Sequence, residues 1–279
     1  MHLILQGPSD HLAQIAAIAD PARIVTLGEH AVRAEDVDTS DRVRAAISLA
    51  AFAAGVDATF IAAGRTLADF KLVAMDMDST LITIECIDEI ADMHGLKAQV
   101  ADITEAAMRG ELDFSASLTR RVALLEGLDA AALERVYDER LRLSPGAETM
   151  LAGVKAAGLK TLLVSGGFTF FTERLQERLG LDYAHANVLE IRDGKLTGKV
   201  LGGIVDAAEK KHTVERVCAE LGISPQQAIV MGDGANDLQM MSIAGLSVAF
   251  RAKPVVRAHA SVALNFCGLD ALLTILQES

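Results

Sequence analysis

The sequence predicts an α/β protein built on a doubly wound parallel sheet, with a helical cap inserted after the first strand of that sheet. A small α+β unit precedes it. From residue 71 onward, short runs of apolar and β-branched residues alternate with helical patterns, which is typical of a parallel sheet covered by helices. A purely helical pattern interrupts this alternation over about residues 84–143. Residues 1–68 follow the order β-α-β-β-α-β, which is typical of a ferredoxin-like fold.

Composition limits the classes of partner. The chain has 279 residues, 51% of them hydrophobic, and its 26 basic and 38 acidic residues give a net charge of −12. This charge argues against nucleic acid or an anionic membrane surface as a partner. No apolar run is long enough for a membrane span, and the first residues lack a secretory pattern. The three cysteines show no metal spacing, so we expect reduced thiols and a cytoplasmic location.

The N-terminal unit is expected to contain two helices, over residues 11–18 and 41–54. Its four strands are expected at residues 3–6, 23–27, 31–34 and 58–62. This order resembles the small ligand-sensing ACT domain that is attached to many enzymes of amino-acid metabolism. No residue of the unit identifies a ligand. It could therefore serve as an amino-acid sensor, in simple packing, or as the contact of a homodimer.

The helical block follows the opening strand at residues 71–76. We expect four helices here, over residues 84–94, 97–109, 115–125 and 129–141. A glycine follows each of the first three, as in left-handed helix C-caps. A helical insertion at this point of an α/β unit indicates a cap over the end of the first strand.

Strand and helix patterns then alternate to the end of the chain. Helices are expected at residues 147–157, 168–179 and 210–221, and again after residue 237. Strands are expected at residues 161–164, 228–231, 246–250 and 261–264. Asp193 and Gly194 predict a hairpin turn between strands at residues 188–192 and 195–201.

Polar residues follow the predicted strands at residues 76–80, 165–167 and 233–237. Doubly wound sheets bind ligands beyond the carboxyl ends of their strands, so these segments should meet. Asp76 and Asp78 are two positions apart and can point to the same side. Neighbouring carboxylates repel each other, which favours a role with a cation or a reaction. Each segment alone is also typical of an ordinary turn; their coincidence favours a functional site.

The chemistry of these residues suits a phosphoryl group. Asp76, Asp78 and Asp233, with Asp237 nearby, need a cation, and ligands that offer only oxygen suit Mg²⁺. Ser165 and the N–H groups of the two glycines after it would form an anion cradle at a helix N-terminus. A lysine at the start of the helix over residues 210–221 would add positive charge. Asp76 is then a candidate nucleophile, and Asp78 a candidate acid and base.

The ordered motifs resemble those of phosphatases of the haloacid dehalogenase (HAD) superfamily. These are D-x-D-x-T at residues 76–80, Ser165, a lysine, and G-D-G-x-N-D at residues 232–237. Within the superfamily, residues 70–279 are most similar to phosphoserine phosphatases, through segments 76–90, 114–122, 164–168 and 232–237. The resemblance implies Mg²⁺-dependent hydrolysis of O-phospho-L-serine through an aspartyl-phosphate, with Asp76 as nucleophile and Asp78 as proton donor.

The same resemblance implies further site residues. Mg²⁺ would be held by the Asp76 carboxylate, the Asp78 main-chain carbonyl and Asp233. Glu85 is expected to bind the substrate ammonium group and Arg121 its carboxylate. Ser165, Gly166 and Lys210 are expected to bind the phosphate, and Asn236 to contact the substrate or its phosphate. Lys210 is preferred to Lys211, and Arg121 to Arg120, by register. Met108 and Phe114 would line the apolar part of the cap.

Three alternatives stay open at this point. One is another small-molecule phosphatase of the same superfamily, or a phosphotransferase from phosphoserine to homoserine. The second is a phospho-acceptor receiver domain, which also gathers acids at strand ends but would lack the helical insertion. The third is an amino-acid sensor that acts through residues 1–68.

Overall fold

The computed structural model describes residues 1–109 and 111–278, except for the side chains of Ser9 and Met108. The described chain contains two sheets, one of four strands and one of seven. No helix in these ranges is both long enough and apolar enough to cross a membrane.

The four-stranded sheet is formed by the first 61 residues. Its strands are β1 (His2–Gln6), β2 (Arg23–Gly28), β3 (Ala31–Glu35) and β4 (Asp57–Ile61), and its helices are α1 (Ser9–Ala17) and α2 (Asp41–Ala53). All pairings are antiparallel, in the order β2-β3-β1-β4. The predicted ferredoxin-like fold is confirmed.

The alternation of side chains along β1 gives this small sheet two buried faces. Leu3 and Leu5 lie in a core with the two helices, whereas Ile4 faces the larger core of the chain. The carboxylate of Asp57 in β4 accepts hydrogen bonds from the N–H groups of Asn265, Phe266 and Cys267. The small sheet is thus bonded to the C-terminal part of the chain.

The seven-stranded sheet has the order β11-β10-β9-β5-β6-β7-β8. Its strands are β5 (Leu72–Met75), β6 (Lys160–Phe168), β7 (Tyr183–Arg192), β8 (Lys195–Leu201), β9 (Ala228–Gly232), β10 (Leu246–Phe250) and β11 (Val262–Leu264). Every pairing from β11 to β7 is parallel, and β8 is antiparallel to β7. The predicted doubly wound sheet is confirmed. Side chains of β5 alternate between two apolar cores, so the sheet is buried on both faces.

Ten helices belong to the rest of the described chain. Those between β5 and β6 are α3 (Cys86–Asp92), α4 (Lys97–Met108), α5 (Phe114–Ala123) and α6 (Ala131–Arg135). Those that follow are α7 (Ala147–Ala156), α8 (Thr169–Leu179), α9 (Ala207–Glu220), α10 (Leu238–Met241), α11 (Pro254–His259) and α12 (Ala271–Ile275).

Several elements differ from the sequence-based prediction, which did not include helices α11 and α12. The helix expected over residues 129–141 is the short α6 followed by a wider turn, in which the N–H of Leu141 bonds the carbonyl of Val136. Strand β6 continues through the Ser165 segment to Phe168. Strand β7 begins at Tyr183 because its first half pairs with β6, a long-range contact that its weak apolar pattern did not reveal.

The position of β5 determines where a site can form. From β5 the chain builds the sheet outward through β6 and β7, and it later returns to build β9, β10 and β11 on the other side. The strand order therefore reverses between β5 and β9. Crevices at such reversals are the usual ligand sites of doubly wound sheets.

Candidate active site

A cavity of about 650 Å³ lies at the carboxyl ends of β5, β6 and β9, beneath the helices α3, α4 and α5. Its polar floor comes from the sheet and its upper wall from the helical block. Most of the residues predicted for the site line it: Asp76, Asp78, Glu85, Phe114, Arg121, Ser165, Gly166, Asp233 and Asn236. The side chain of Met108, which was predicted to line the cap, lies outside the described residues.

Asp76 follows directly after β5. Its N–H extends the ladder to β9 by bonding the carbonyl of Met231 at 3.0 Å. Its carboxylate accepts a hydrogen bond of 2.7 Å from the N–H of Met77 and lies 2.8 Å from Nζ of Lys210. The side chain is buried and is held by one backbone N–H group and one lysine side chain.

Asp78 lies in a tight turn beyond the strand, and the turn rather than strand alternation directs it into the cavity. Ser79 has a φ of 56°, a left-handed conformation that costs about 1 kcal/mol for a residue with a side chain. Its hydroxyl donates to Oε1 of Glu85 at 2.7 Å. The turn thus connects Asp78 to the acid that precedes α3.

The end of β6 forms a backbone cradle. Oγ of Ser165 accepts a hydrogen bond of 2.8 Å from the N–H of Gly167, and the Asn187 amide donates to the carbonyl of Gly166 at 2.8 Å. A Cβ on Gly166 would lie 2.8 Å from the Phe114 ring, and one on Gly167 would lie 3.0 Å from Oδ2 of Asp78. A side chain at either position would therefore displace a side chain of the cavity, which favours glycine where the backbone forms the cavity wall.

Lys210, near the start of α9, lies fully buried between two carboxylates. Its Nζ is 2.8 Å from Oδ1 of Asp76 and 2.8 Å from Oδ1 of Asp237. The next residue, Lys211, lies 3.8 Å from Glu215 on the outside of the same helix. The structure thus brings Lys210, and not Lys211, to the acids of the sheet edge.

Asp237 organises the loop after β9. Its Oδ2 accepts hydrogen bonds from the N–H groups of Asp233 and Gly234, at 3.1 and 3.0 Å. A Cβ on Gly232 would lie 2.4 Å from that oxygen, so the close approach requires glycine. Oδ1 of Asp233 accepts a hydrogen bond of 3.3 Å from the hydroxyl of the buried Thr80. The two motifs at residues 76–80 and 232–237 are therefore joined by direct contacts.

Oxygen atoms of Asp76, Asp233 and Asp237 lie within 4.8 Å of one another and could hold a metal ion. This set includes Asp237, whereas the sequence-based expectation used Asp76, Asp233 and the main-chain carbonyl of Asp78. The donors are all carboxylates, and the only side-chain cation bonded to them in the described chain is Lys210. This excess of negative charge and oxygen fits a hard divalent cation.

The acids carry raised pKa values. Burial, and then the charge of Glu85, raise the pKa of Asp78 to about 8. Burial and the neighbouring Asp237 raise the pKa of Asp233 to about 7. The same two causes raise the pKa of Asp76 well above its ordinary value, although Lys210 opposes them. Burial disfavours the charged form of Lys210, but Asp237 and Asp76 outweigh it and raise its pKa.

Helix α5 presents one stripe of side chains to the cavity: Phe114, Ser117, Leu118 and Arg121. Their spacing of three and four residues places them on one helix face. Arg120 points to solvent and is exposed. Two acids lie across the cavity from the sheet floor. Glu85 is the residue before α3, and Asp88 lies in the first turn of that helix. Desolvation by the cavity walls raises the pKa of Glu85, although its side chain still reaches solvent.

The sequence-based interpretation assigned no role to two charged residues of the cavity, Asp88 and Lys253. Lys253 precedes α11, and its N–H bonds the carbonyl of Asp233 at 3.1 Å. Asp88 follows Glu85 by three residues at the start of a helix, so both fall on the same side. That spacing was the available signal for Asp88, whereas Lys253 depends on a loop packing that no local pattern indicates.

Comparisons with known proteins agree with this geometry. Residues 70–245 match the family model of the haloacid dehalogenase-like hydrolases. A phosphoserine phosphatase from Polaromonas sp. is 59% identical over 216 residues, which is 76% of this chain and 92% of that protein.

Two solved structures extend the similarity over the whole chain. A HAD-family hydrolase from Salmonella enterica serovar Typhi matches with a TM-score of 0.90 and 35% identity, over 100% of this chain and 99% of that one. A probable phosphoserine phosphatase from Vibrio cholerae matches with a TM-score of 0.84 and 36% identity, over 99% and 86%. The chain belongs to the family of haloacid dehalogenase-like hydrolases.

Proposed function

We propose that this protein is a Mg²⁺-dependent phosphatase that hydrolyses O-phospho-L-serine to L-serine and phosphate. The observation that carries the proposal is one cavity with two different walls. Its floor pairs Asp76 with Lys210 beside a cluster of acids, which suits a phosphoryl group. Its cap wall offers an acid, Glu85, and a base, Arg121, which suit the ammonium and carboxylate groups of an amino acid.

In the first half-reaction, Oδ of Asp76 attacks phosphorus and the bond from phosphorus to the serine oxygen breaks. Asp78 gives its proton to that oxygen, so serine leaves as the alcohol. A raised pKa of about 8 keeps Asp78 protonated at neutral pH, as a general acid requires. The product is an aspartyl-phosphate on Asp76 and an ionised Asp78.

In the second half-reaction, Asp78 takes a proton from water and the oxygen of that water attacks phosphorus. The bond from phosphorus to Asp76 breaks, which releases phosphate and restores both carboxyl groups. Ser165, Gly166, Lys210 and Asn236 are the proposed ligands of the phosphoryl oxygens in both steps. Three of them line the cavity, and Nζ of Lys210 lies 2.8 Å from Asp76, which supports this proposal.

Asp76 and Asp233 are the proposed Mg²⁺ ligands, with the Asp78 carbonyl or Asp237 as further donors. The ion would neutralise phosphoryl charge and keep Asp76 ionised for attack. The clustering of three carboxylates, two of which share the single ammonium group of Lys210, supports this assignment.

We also propose a cytoplasmic location. The three cysteines of the chain are all free, and Cys86 and Cys218 are buried. Unpaired thiols are typical of proteins in reducing compartments. The role of the N-terminal sheet in ligand binding or dimer formation stays a prediction.

The test is the release of phosphate from O-phospho-L-serine by the purified chain, with Mg²⁺ and with a chelator. We expect steady turnover with Mg²⁺ that the chelator abolishes. A panel of other phosphate esters, with and without homoserine as acceptor, distinguishes hydrolysis from phosphotransfer. Preference for another ester, or transfer to homoserine in place of phosphate release, would refute the proposal.

A further inference from the structure

Two polar atoms on the cap wall are buried without partners. Oδ1 of Asp88 and Nε of Arg121 are shielded from solvent and have no hydrogen-bond partner among the described residues. Such atoms each cost about 1–3 kcal/mol when left unpaired, and more for charged groups. Both residues line the cavity, so these two unpaired atoms destabilise the cavity wall itself.

The two orphan atoms are complementary. Nε–H of arginine is a donor, and a carboxylate oxygen is an acceptor. The two side chains carry opposite charges and belong to two helices that line the cavity, α3 and α5. Burial raises the pKa of Asp88, and the positive charge of Arg121 opposes that rise. Other described acids of α3 are occupied elsewhere: Glu89 and Asp92 both bind Arg140.

We propose that Asp88 is a positioning residue, which binds Nε of Arg121 in the substrate complex and directs the two Nη atoms toward the substrate carboxylate. The inference rests on the proposed function and names a determinant of its selectivity. A guanidinium can meet a carboxylate through its Nη pair or through Nε and one Nη. Occupying Nε with Asp88 leaves only the first geometry, which fixes the orientation of the amino-acid end of the substrate.

The experiment compares Asp88→Asn, Arg121→Lys and the double variant, with hydrolysis of p-nitrophenyl phosphate as the reporter reaction. Competitive inhibition constants are measured for O-phospho-L-serine and for O-phosphoethanolamine, which has the ammonium group but no carboxylate. Asp102→Asn, an exposed acid on α4, controls for the loss of one negative charge from the cap.

We expect Asp88→Asn to weaken phosphoserine binding about tenfold, a usual magnitude for a charge-assisted hydrogen bond. Phosphoethanolamine binding and turnover of the reporter should change less than about twofold. In the Arg121→Lys background, which lacks Nε, adding Asp88→Asn should have almost no further effect on phosphoserine.

Two outcomes would overturn the inference. Equal losses for both ligands would show that Asp88 acts on the ammonium group or on the cap as a whole. A full tenfold additional loss in the Arg121→Lys background would show that Asp88 does not act through Nε of Arg121. Turnover of phosphoserine by the unmodified enzyme is measured separately. Failure of this inference can therefore be distinguished from failure of the proposed function.

Discussion

The floor and the cap wall of the cavity handle charge in opposite ways. On the floor, Lys210 is within 2.8 Å of both Asp76 and Asp237, and Asp237 is further bonded to two N–H groups. On the cap wall, Arg121 and Asp88 each hold a buried polar atom that has no hydrogen-bond partner among the described residues. The groups that we propose for phosphoryl chemistry are therefore held by contacts within the fold, whereas those that we propose for substrate selection keep polar atoms that no described residue contacts.

The largest effect should come from the floor. Asp76→Asn replaces the proposed nucleophile with a side chain of the same shape, so we expect turnover to fall by about 10⁴-fold or more. Phosphate release is the measurement, and an unchanged circular dichroism spectrum is the check on folding. If the variant retained a tenth of the activity, Asp76 could not be the nucleophile.

The second test concerns the buried lysine. Lys210→Met leaves two carboxylates without their cation, so we expect activity to fall about 100-fold or more and the free energy of unfolding to fall by about 3 kcal/mol. Lys211→Met is the matched control on the outer side of α9. Comparable losses in both variants would contradict the assignment of Lys210 to the floor.

The third test moves to the cap wall. Arg121→Gln should raise KM for phosphoserine about 100-fold, because a charge-assisted contact with the carboxylate is lost. An aryl phosphate without a carboxylate should be turned over at nearly the original rate. The control is Arg120→Gln at the exposed neighbouring residue, which should not change the KM or the turnover rate for either substrate. If Arg121→Gln impaired both substrates alike, the division between floor and cap wall would fail.

The smallest effect concerns pH. In chelator, the folded protein keeps protons on Asp233 and Asp78, with pKa values of about 7 and 8, whereas unfolded aspartates lose theirs near pH 4. The native state therefore binds more protons than the unfolded state, and stability should fall as pH rises from 5 to 8. Mg²⁺ bound at Asp233 would replace the proton on that carboxylate, so it should raise Tm by a few degrees more at pH 8 than at pH 5.

This last prediction is checked by thermal melts at three pH values, each with Mg²⁺ and with chelator. The Asp233→Asn variant has no ionisable group at that position, so the melting temperature of this variant in chelator should depend less on pH. An identical pH dependence in the variant would show that other groups dominate the titration.

The sequence by itself determined the order of strands and helices, the doubly wound sheet and the ferredoxin-like unit. It also determined which strand ends carry polar residues. These are properties of local patterns: apolar periodicity, glycine positions and the spacing of the acids around residues 76–80 and 232–237. The resemblance to phosphoserine phosphatases added the expected partners of Asp76 and the choice of Arg121.

Only the tertiary structure decided which charges pair. Lys210 and Lys211 are adjacent in sequence, yet one is buried between two acids and the other faces Glu215. The hydrogen bond from Thr80 to Asp233 is equally invisible to local patterns, as is Oδ1 of Asp88, which has no partner among the described residues. The physical reason is that charge pairing depends on distances between segments that lie far apart along the chain. Burial then determines how strong each charge pair is and how much each unpaired polar atom destabilises the protein.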